Sequence, residues 1–263
     1  EVCKFRAARE LWHRLIMDEF SPSNPKSSQL RFHTQTSGVT LTAQQPMNNT
    51  VRVAYQALSA ILGGTQSLHT NSFDEALGLP TEESAKLALR TQQIIAYETG
   101  ITDFIDPLGG SPIIENTTDE LIQNAKQIIN SIESSGGAME GVKSGLQQSM
   151  IHESAWQHLS DVESCKELVV GVNTKLDSAA VLDEGMVLDS NEEINIVNRL
   201  EEIRTNRNEE EVKRLLSSLE EACSNGENVM NPLIGALKAE ATVGEVNGVF
   251  RKLFGTWMAP SGV

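Results

Sequence analysis

The chain has 263 residues, 39% of them apolar, and carries 36 acidic against 21 basic side chains for a net charge of −15. This length and apolar content can fill a core, whereas so acidic a surface argues against a nucleic-acid partner, whose phosphates need a basic face. The longest apolar runs fall well short of the ~20 residues that cross a bilayer, and no cationic leader precedes an apolar signal region, so no membrane association is expected.

In chain order, residues 1–20 read as a helix already under way, with Phe5, Leu11, Leu15 and Ile16 on related turns and neither a cap nor a Met before them. The expectation is an upstream segment that this sequence lacks. Residues 30–36 alternate branched or aromatic with polar side chains and stop at Ser37-Gly38, which predicts a strand. A helix opens near Asn48-Asn49, with Val51, Ala54, Leu58, Ile61 and Leu62 as its apolar stripe and Gly63-Gly64 as its stop. A second strand is predicted over residues 65–70, then a polar loop over 71–80 carrying Asp74 and Glu75, then a helix with Leu87, Thr91, Ile94 and Ile95 on one face. This β-α-β-α order predicts parallel strands covered by helices, with the chemistry in the loops that follow the carboxyl ends of the strands.

Beyond residue 105 the pattern is mostly helical. Helices are predicted over residues 118–134, ended by Gly136-Gly137; over 138–159, with a break at Gly145; and over 192–205, 209–223 and 232–240. Asn231-Pro232 reads as the start of the last of these, and the Thr242 to Glu245 spacing as a capping box for a final helix along Val246, Val249, Phe250 and Leu253. Residues 168–172 form a short apolar strand candidate, followed by an Asp- and Ser-rich loop. Cys3, Cys165 and Cys223 are far apart and lack ligand spacing, which fits free thiols acting as apolar fillers in a reducing compartment, and a cytoplasmic location. His33 and His69 read as hydrogen-bonded core residues rather than ligands, and no His-x-His or Glu/His cluster has metal spacing.

RFHTQTSG at residues 31–38, GGTQSLHTN at 63–71 and DEALGLP at 74–80 resemble the large, substrate-binding part of adenosylcobalamin-dependent acyl-CoA mutases of the methylmalonyl-CoA mutase type. The resemblance continues through DPLGGSP at 106–112, VVGVN at 169–173 and ATVGE at 241–245. It implies an α/β fold: the C-terminal portion of a TIM barrel over residues 1–105, then a mostly helical extension over 106–263, with the N-terminal barrel half and the cobalamin-binding domain absent. Two strands cannot close an eight-stranded barrel, so the isolated chain is expected to be inactive and to need the missing barrel half or a homologous large subunit. None of the five histidines sits in an Asp-x-His-x-x-Gly motif, so the cobalt ligand would come from another domain or a separate cobalamin-binding subunit.

The activity implied is the radical isomerisation of (R)-methylmalonyl-CoA to succinyl-CoA: homolysis of the cobalt–carbon bond, hydrogen abstraction and migration of the thioester group. The resemblance places Gly38, Glu75 and Gly78 against adenosylcobalamin. Chemically, Gly38 and Gly78 lack a Cβ that would hold a flat corrin away, although relatives carry Ala at the latter. Glu75 offers an acceptor for ribose hydroxyls or cofactor amides, and a surface acid reads equally well. Gln35 is assigned to the cofactor, and Ser67 and Gln66 to the acyl-CoA substrate, because uncharged amides and hydroxyls suit a corrin fringe or a pantetheine arm. Arg31 and Arg52 are candidates to balance the anionic CoA, with a surface role the stronger reading for each. No catalytic acid or base and no protein metal ligand is assigned here. Two alternatives remain open: an isobutyryl-CoA or hydroxyacyl-CoA mutase subunit, and a noncatalytic scaffold fragment.

Overall fold

The alternation at residues 30–36 and 65–70 produces two short strands, His33–Gln35 (β1) and Ser67–His69 (β2), paired in parallel with His33 opposite Ser67 and Gln35 opposite His69. A parallel pair needs a crossover; here it is the helix Asn48–Leu62 (α2), and a second helix, Glu82–Glu98 (α3), follows β2 and packs on α2. The computed structural model describes residues 1–177 and 190–258. Contacts divide the chain into two units, Glu1–Met186 and Val187–Gly262.

In the first unit, Val2–Phe20 (α1) lies against Pro112–Ser134 (α4), with Ala7, Leu11 and Ile122 buried between them and Leu15, Leu121, Ala125 and Ile129 packed around. Arg6 fixes the end of this pair. Its guanidinium forks onto both Glu115 carboxylate oxygens at 2.8 and 2.9 Å and also pairs with Asp106, so the DPLGGSP segment is pinned to α1. Gly137–Ser144 (α5) and Leu146–Glu163 (α6) follow, separated by Gly145 at φ 78°, the left-handed geometry that breaks the predicted helix where expected. Helix α6 buries none of its residues and leaves Ile151 and Trp156 exposed.

The second unit holds Ser190–Asn206 (α7), Glu209–Asn225 (α8), Met230–Lys238 (α9) and Val243–Phe254 (α10). Helix α8 packs on α9 and α10 around Val212, Leu219, Cys223, Ala236, Val246 and Val249. The capping box is present: Thr242 Oγ1 accepts from the Glu245 N–H, and the Glu245 carboxylate accepts from the Thr242 N–H at 2.7 Å.

Several expectations are corrected. Helix α2 buries Asn49, Val53, Ala57 and Ala60, whereas Val51 is 57% exposed. The buried face is therefore rotated from the bulkiest stripe, because small side chains let the helix approach closely. Residues 168–172 form no strand; they contribute only a bridge between Val170 and Thr174. Gly171 sits at φ 85°, and the Asn173 side chain takes the local backbone bonds, accepting from the Val169 N–H at 2.7 Å and donating to the Val162 and Glu167 carbonyls. Helix α9 starts at Met230, whose N–H donates to Asn228 Oδ1 at 2.9 Å, so Asn231-Pro232 lies inside the first turn, where proline's missing N–H is tolerated. Of the three free cysteines, Cys223 is the buried filler expected, Cys3 is half-buried and Cys165 is exposed. The Asp- and Ser-rich loop after residue 172 falls largely on residues 178–189, outside the described residues.

Candidate functional site

The pleat puts His33, Gln35, Ser67 and His69 on one face of the sheet, and all four are exposed. This corrects the core reading of the two histidines: the residues between, Thr34 and Leu68, are the half-buried ones, and His33 and His69 lie in the open. His33 Nδ1 and Ser67 Oγ share a hydrogen bond of 2.7 Å across the strands. A cleft of about 440 Å³ runs along β1, lined by Phe5, Thr34, Gln35, Ser37, Thr40 and Gln56 among others.

Both strands end in loops that knit together. The Thr36 N–H donates to the His69 carbonyl at 3.0 Å, Thr36 Oγ1 accepts from the Asn71 N–H at 2.9 Å, and Gln35 Nε2 donates to Asn71 Oδ1 at 2.9 Å. Just beyond, a Cβ on Gly38 would stand 2.9 Å from Asn71 Nδ2 and 3.4 Å from Glu75 Cγ and Oε1. Glycine at 38 thus accommodates the close approach of this chain's own next loop, and a Cβ there would displace the Asn71 amide, an explanation the sequence did not offer. Gln35, Gly38, Asn71 and Glu75 form one group at the carboxyl ends of the strands. Asn71 itself was missed, and its position one residue past a strand end, opposite Gln35, was the available signal. Gly78 has nothing within 4 Å of where its Cβ would be, so it stands apart as an open, exposed turn.

The two substrate candidates separate. Ser67 belongs to the exposed sheet face, whereas both ends of the Gln66 amide are held by backbone at the other end of the strands, Oε1 by the Phe32 N–H at 2.7 Å and Nε2 by the Gly64 carbonyl at 2.8 Å. Arg52 is likewise taken up internally by Thr42 Oγ1, Asn49 Oδ1 and the Val170 carbonyl, and Arg31 is exposed.

Two features bear on whether the group suits a large polar ligand. Asn71 Nδ2 is a buried donor without a hydrogen-bond partner, and the adjacent Glu75 is exposed and forms no ion pair among the described residues. A spare amide donor beside an acceptor-only carboxylate, at a position without a Cβ, matches a ligand rich in hydroxyls and amides. Among the described residues no group of three His, Cys, Asp or Glu could hold a metal, and no helix is long and apolar enough to cross a membrane.

The sequence profile of the family described as Methylmalonyl-CoA mutase matches residues 1–256. The chain is 43% identical to a methylmalonyl-CoA mutase of Rhizobium meliloti, over 98% of this chain and 36% of that protein. It is 42% identical to the human mitochondrial methylmalonyl-CoA mutase, over 97% of this chain and 34% of that protein, and 41% identical to the Escherichia coli one, over 99% and 36%. The chain therefore spans about a third of the length of the curated relatives it matches. A profile match along nearly its whole length and identities above 40% establish that the chain belongs to the methylmalonyl-CoA mutase family.

Proposed function

We propose that this chain is part of the large subunit of an adenosylcobalamin-dependent acyl-CoA mutase, an isomerase converting (R)-methylmalonyl-CoA to succinyl-CoA. In this reading residues 1–105 are the last strands and helices of a TIM barrel, and residues 106–263 are its helical extension. The observation that carries the proposal is the group at the carboxyl ends of β1 and β2, where Gln35, Gly38, Asn71 and Glu75 meet with one amide donor free. Parallel α/β folds bind ligands at such ends.

Within that reading Gln35, Gly38, Glu75 and Gly78 face the cofactor, Glu75 accepting from its hydroxyls or amides and Gly38 letting the Asn71 and Glu75 side chains lie close against its backbone. Ser67, on the exposed sheet face, meets the acyl-CoA arm, and Gln66, its amide held by the Phe32 N–H and the Gly64 carbonyl, braces the other end of the strands. When bound, adenosylcobalamin supplies the radical chemistry, with its cobalt ligand coming from another domain or subunit. This chain's contribution is to bind, orient and exclude water, and the polar strand face of His33, Gln35, Ser67 and His69 offers hydrogen-bonding groups for that work. The open sheet face would be closed by the remaining barrel strands, and a cytoplasmic location fits the three free thiols.

The test is titration of adenosylcobalamin into the complete protein carrying Glu75→Ala. Weaker cofactor binding with an unchanged fold supports the assignment, and an unchanged binding curve removes Glu75 from the site.

A further inference from the structure

Asn49, in the first turn of α2, is 0% exposed, and its amide is used in full. Oδ1 accepts from the Thr42 N–H at 3.1 Å and from Arg52 Nη1 at 2.7 Å; Nδ2 donates to the Thr42 carbonyl at 2.9 Å and to the Phe73 carbonyl at 2.8 Å. Thr42 lies in the loop that carries Gly38, and Phe73 in the loop that carries Glu75. One side chain therefore joins three elements: a rigid helix and both loops of the candidate site. Arg52 extends the junction to Thr42 Oγ1 and to the Val170 carbonyl.

We propose that Asn49 is a positioning residue that locks the two loops in register, so that Glu75 stays over Gly38. The chemistry selects this residue type. Backbone N–H and guanidinium groups only donate and carbonyls only accept, so the site needs two donors and one twice-accepting oxygen on a short stem. Aspartate has no donor to give the Thr42 and Phe73 carbonyls, leucine satisfies nothing, and glutamine is one methylene too long for a fully buried position. The second tie between the loops, Gln35 and Thr36 to Asn71, lies at the strand ends. Asn49 holds the far side. Without it the segment around Phe73 is free to swing about the Asn71 tie, carrying Glu75 with it.

The role in cofactor binding rests on the reading of Glu75 above, and the clamp itself does not, so the experiment separates them. In the complete cofactor-free protein, amide hydrogen exchange is compared for wild type and Asn49→Asp. Faster exchange in both residues 39–44 and residues 72–77, with α3 and α4 unchanged, is expected; unchanged exchange in either loop overturns the clamp. Adenosylcobalamin is then titrated into the same proteins. The loss of two buried hydrogen bonds is expected to weaken binding about tenfold, and Asn49→Asp combined with Glu75→Ala should bind within about twofold of Glu75→Ala alone, because the first acts through the second. Wild-type affinity of the folded Asn49→Asp protein, or full additivity in the double variant, overturns the positioning role and leaves Asn49 a purely structural residue. If Glu75→Ala binds like wild type, the cofactor assignment fails while the exchange result still decides the clamp. Asn49→Ser, smaller and without a carboxylate oxygen set against two carbonyl acceptors, carries the same readouts if the aspartate variant does not fold.

Discussion

Replacing Glu245 with Gln should destabilise the second unit in a way that depends on pH. Arg207 is almost wholly enclosed, its side chain 3% exposed, and it reaches Glu245 with both terminal nitrogens, at 2.6 and 2.8 Å, while also bonding Glu209 and the Glu240 carbonyl. The same Glu245 carboxylate closes the cap of α10 on Thr242. The Arg207 guanidinium holds the Glu245 carboxyl well down, from 4.5 to about 2, with burial opposing it and Thr242 assisting. At ~1.36 kcal/mol per pH unit this depression converts to about 3.4 kcal/mol. That figure is a ceiling; the Glu245 side chain is 26% exposed, and solvent screening brings the contribution nearer about 2 kcal/mol. Because the folded pKa lies below the unfolded one, the stabilisation is complete above pH 4.5 and drains away as the pH falls toward about 2.

Glutamine keeps one acceptor but turns an amide donor toward a group that only donates, so the variant loses the pair and strains the cap. Urea unfolding near pH 7, followed by exchange at α8 and α10 amides, should show a loss of about 2–3 kcal/mol. The gap between variant and wild type should narrow as the pH is lowered to about 3, since protonation removes from the wild type what the substitution already removed. A variant as stable as wild type near neutrality, or a gap that stays constant down to about pH 3, refutes this account of the junction.

Three other outcomes follow from the geometry. Gly38→Ala places a Cβ 2.9 Å from Asn71 Nδ2, so the Gln35 to Asn71 bond should break and cofactor affinity should fall, with unfolding changed by about 1 kcal/mol or less; wild-type affinity would show that the Asn71 side chain yields freely. Gly63→Ala puts a Cβ 2.6 Å from Phe5 Cδ2, against a ring stacked on Phe32 at 5.3 Å, and should lower stability by about 1–3 kcal/mol in thermal unfolding. Thr81→Ala removes the oxygen that accepts from the Ser84 N–H at the start of α3, a loss of about 1 kcal/mol, visible as faster exchange in the first turn of that helix.

The sequence carried most of the local structure because its signals were local. Gly145, the Thr242 to Glu245 spacing and the polar punctuation at Ser37-Gly38 each act within a few residues, and the break, the capping box and the end of β1 appear where expected. What failed depended on partners far along the chain. The buried face of α2 is chosen by close packing of small residues rather than by the bulkiest stripe, and the exposure of His33 and His69 depends on what covers the sheet face. Residues 168–172 are the exception, failing for a local reason: they have strand composition, but the adjoining Asn173 supplies bonds that a neighbouring strand would have made. In the candidate site, Gly38 and Glu75 were legible through the family resemblance and Gln35 through its uncharged amide, and the structure brings the three together at the strand ends. The packing of the two loops was not legible, because Asn49 and Asn71 act through contacts across 24 and 36 residues.

The most direct test of the central claim is an amide-exchange footprint of the complete protein with and without adenosylcobalamin. Slower exchange concentrated in residues 35–42 and 71–78 on adding the cofactor is the expected result. Unchanged exchange in both loops, with protection elsewhere in the protein, would contradict the assignment of this strand-end group to the cofactor.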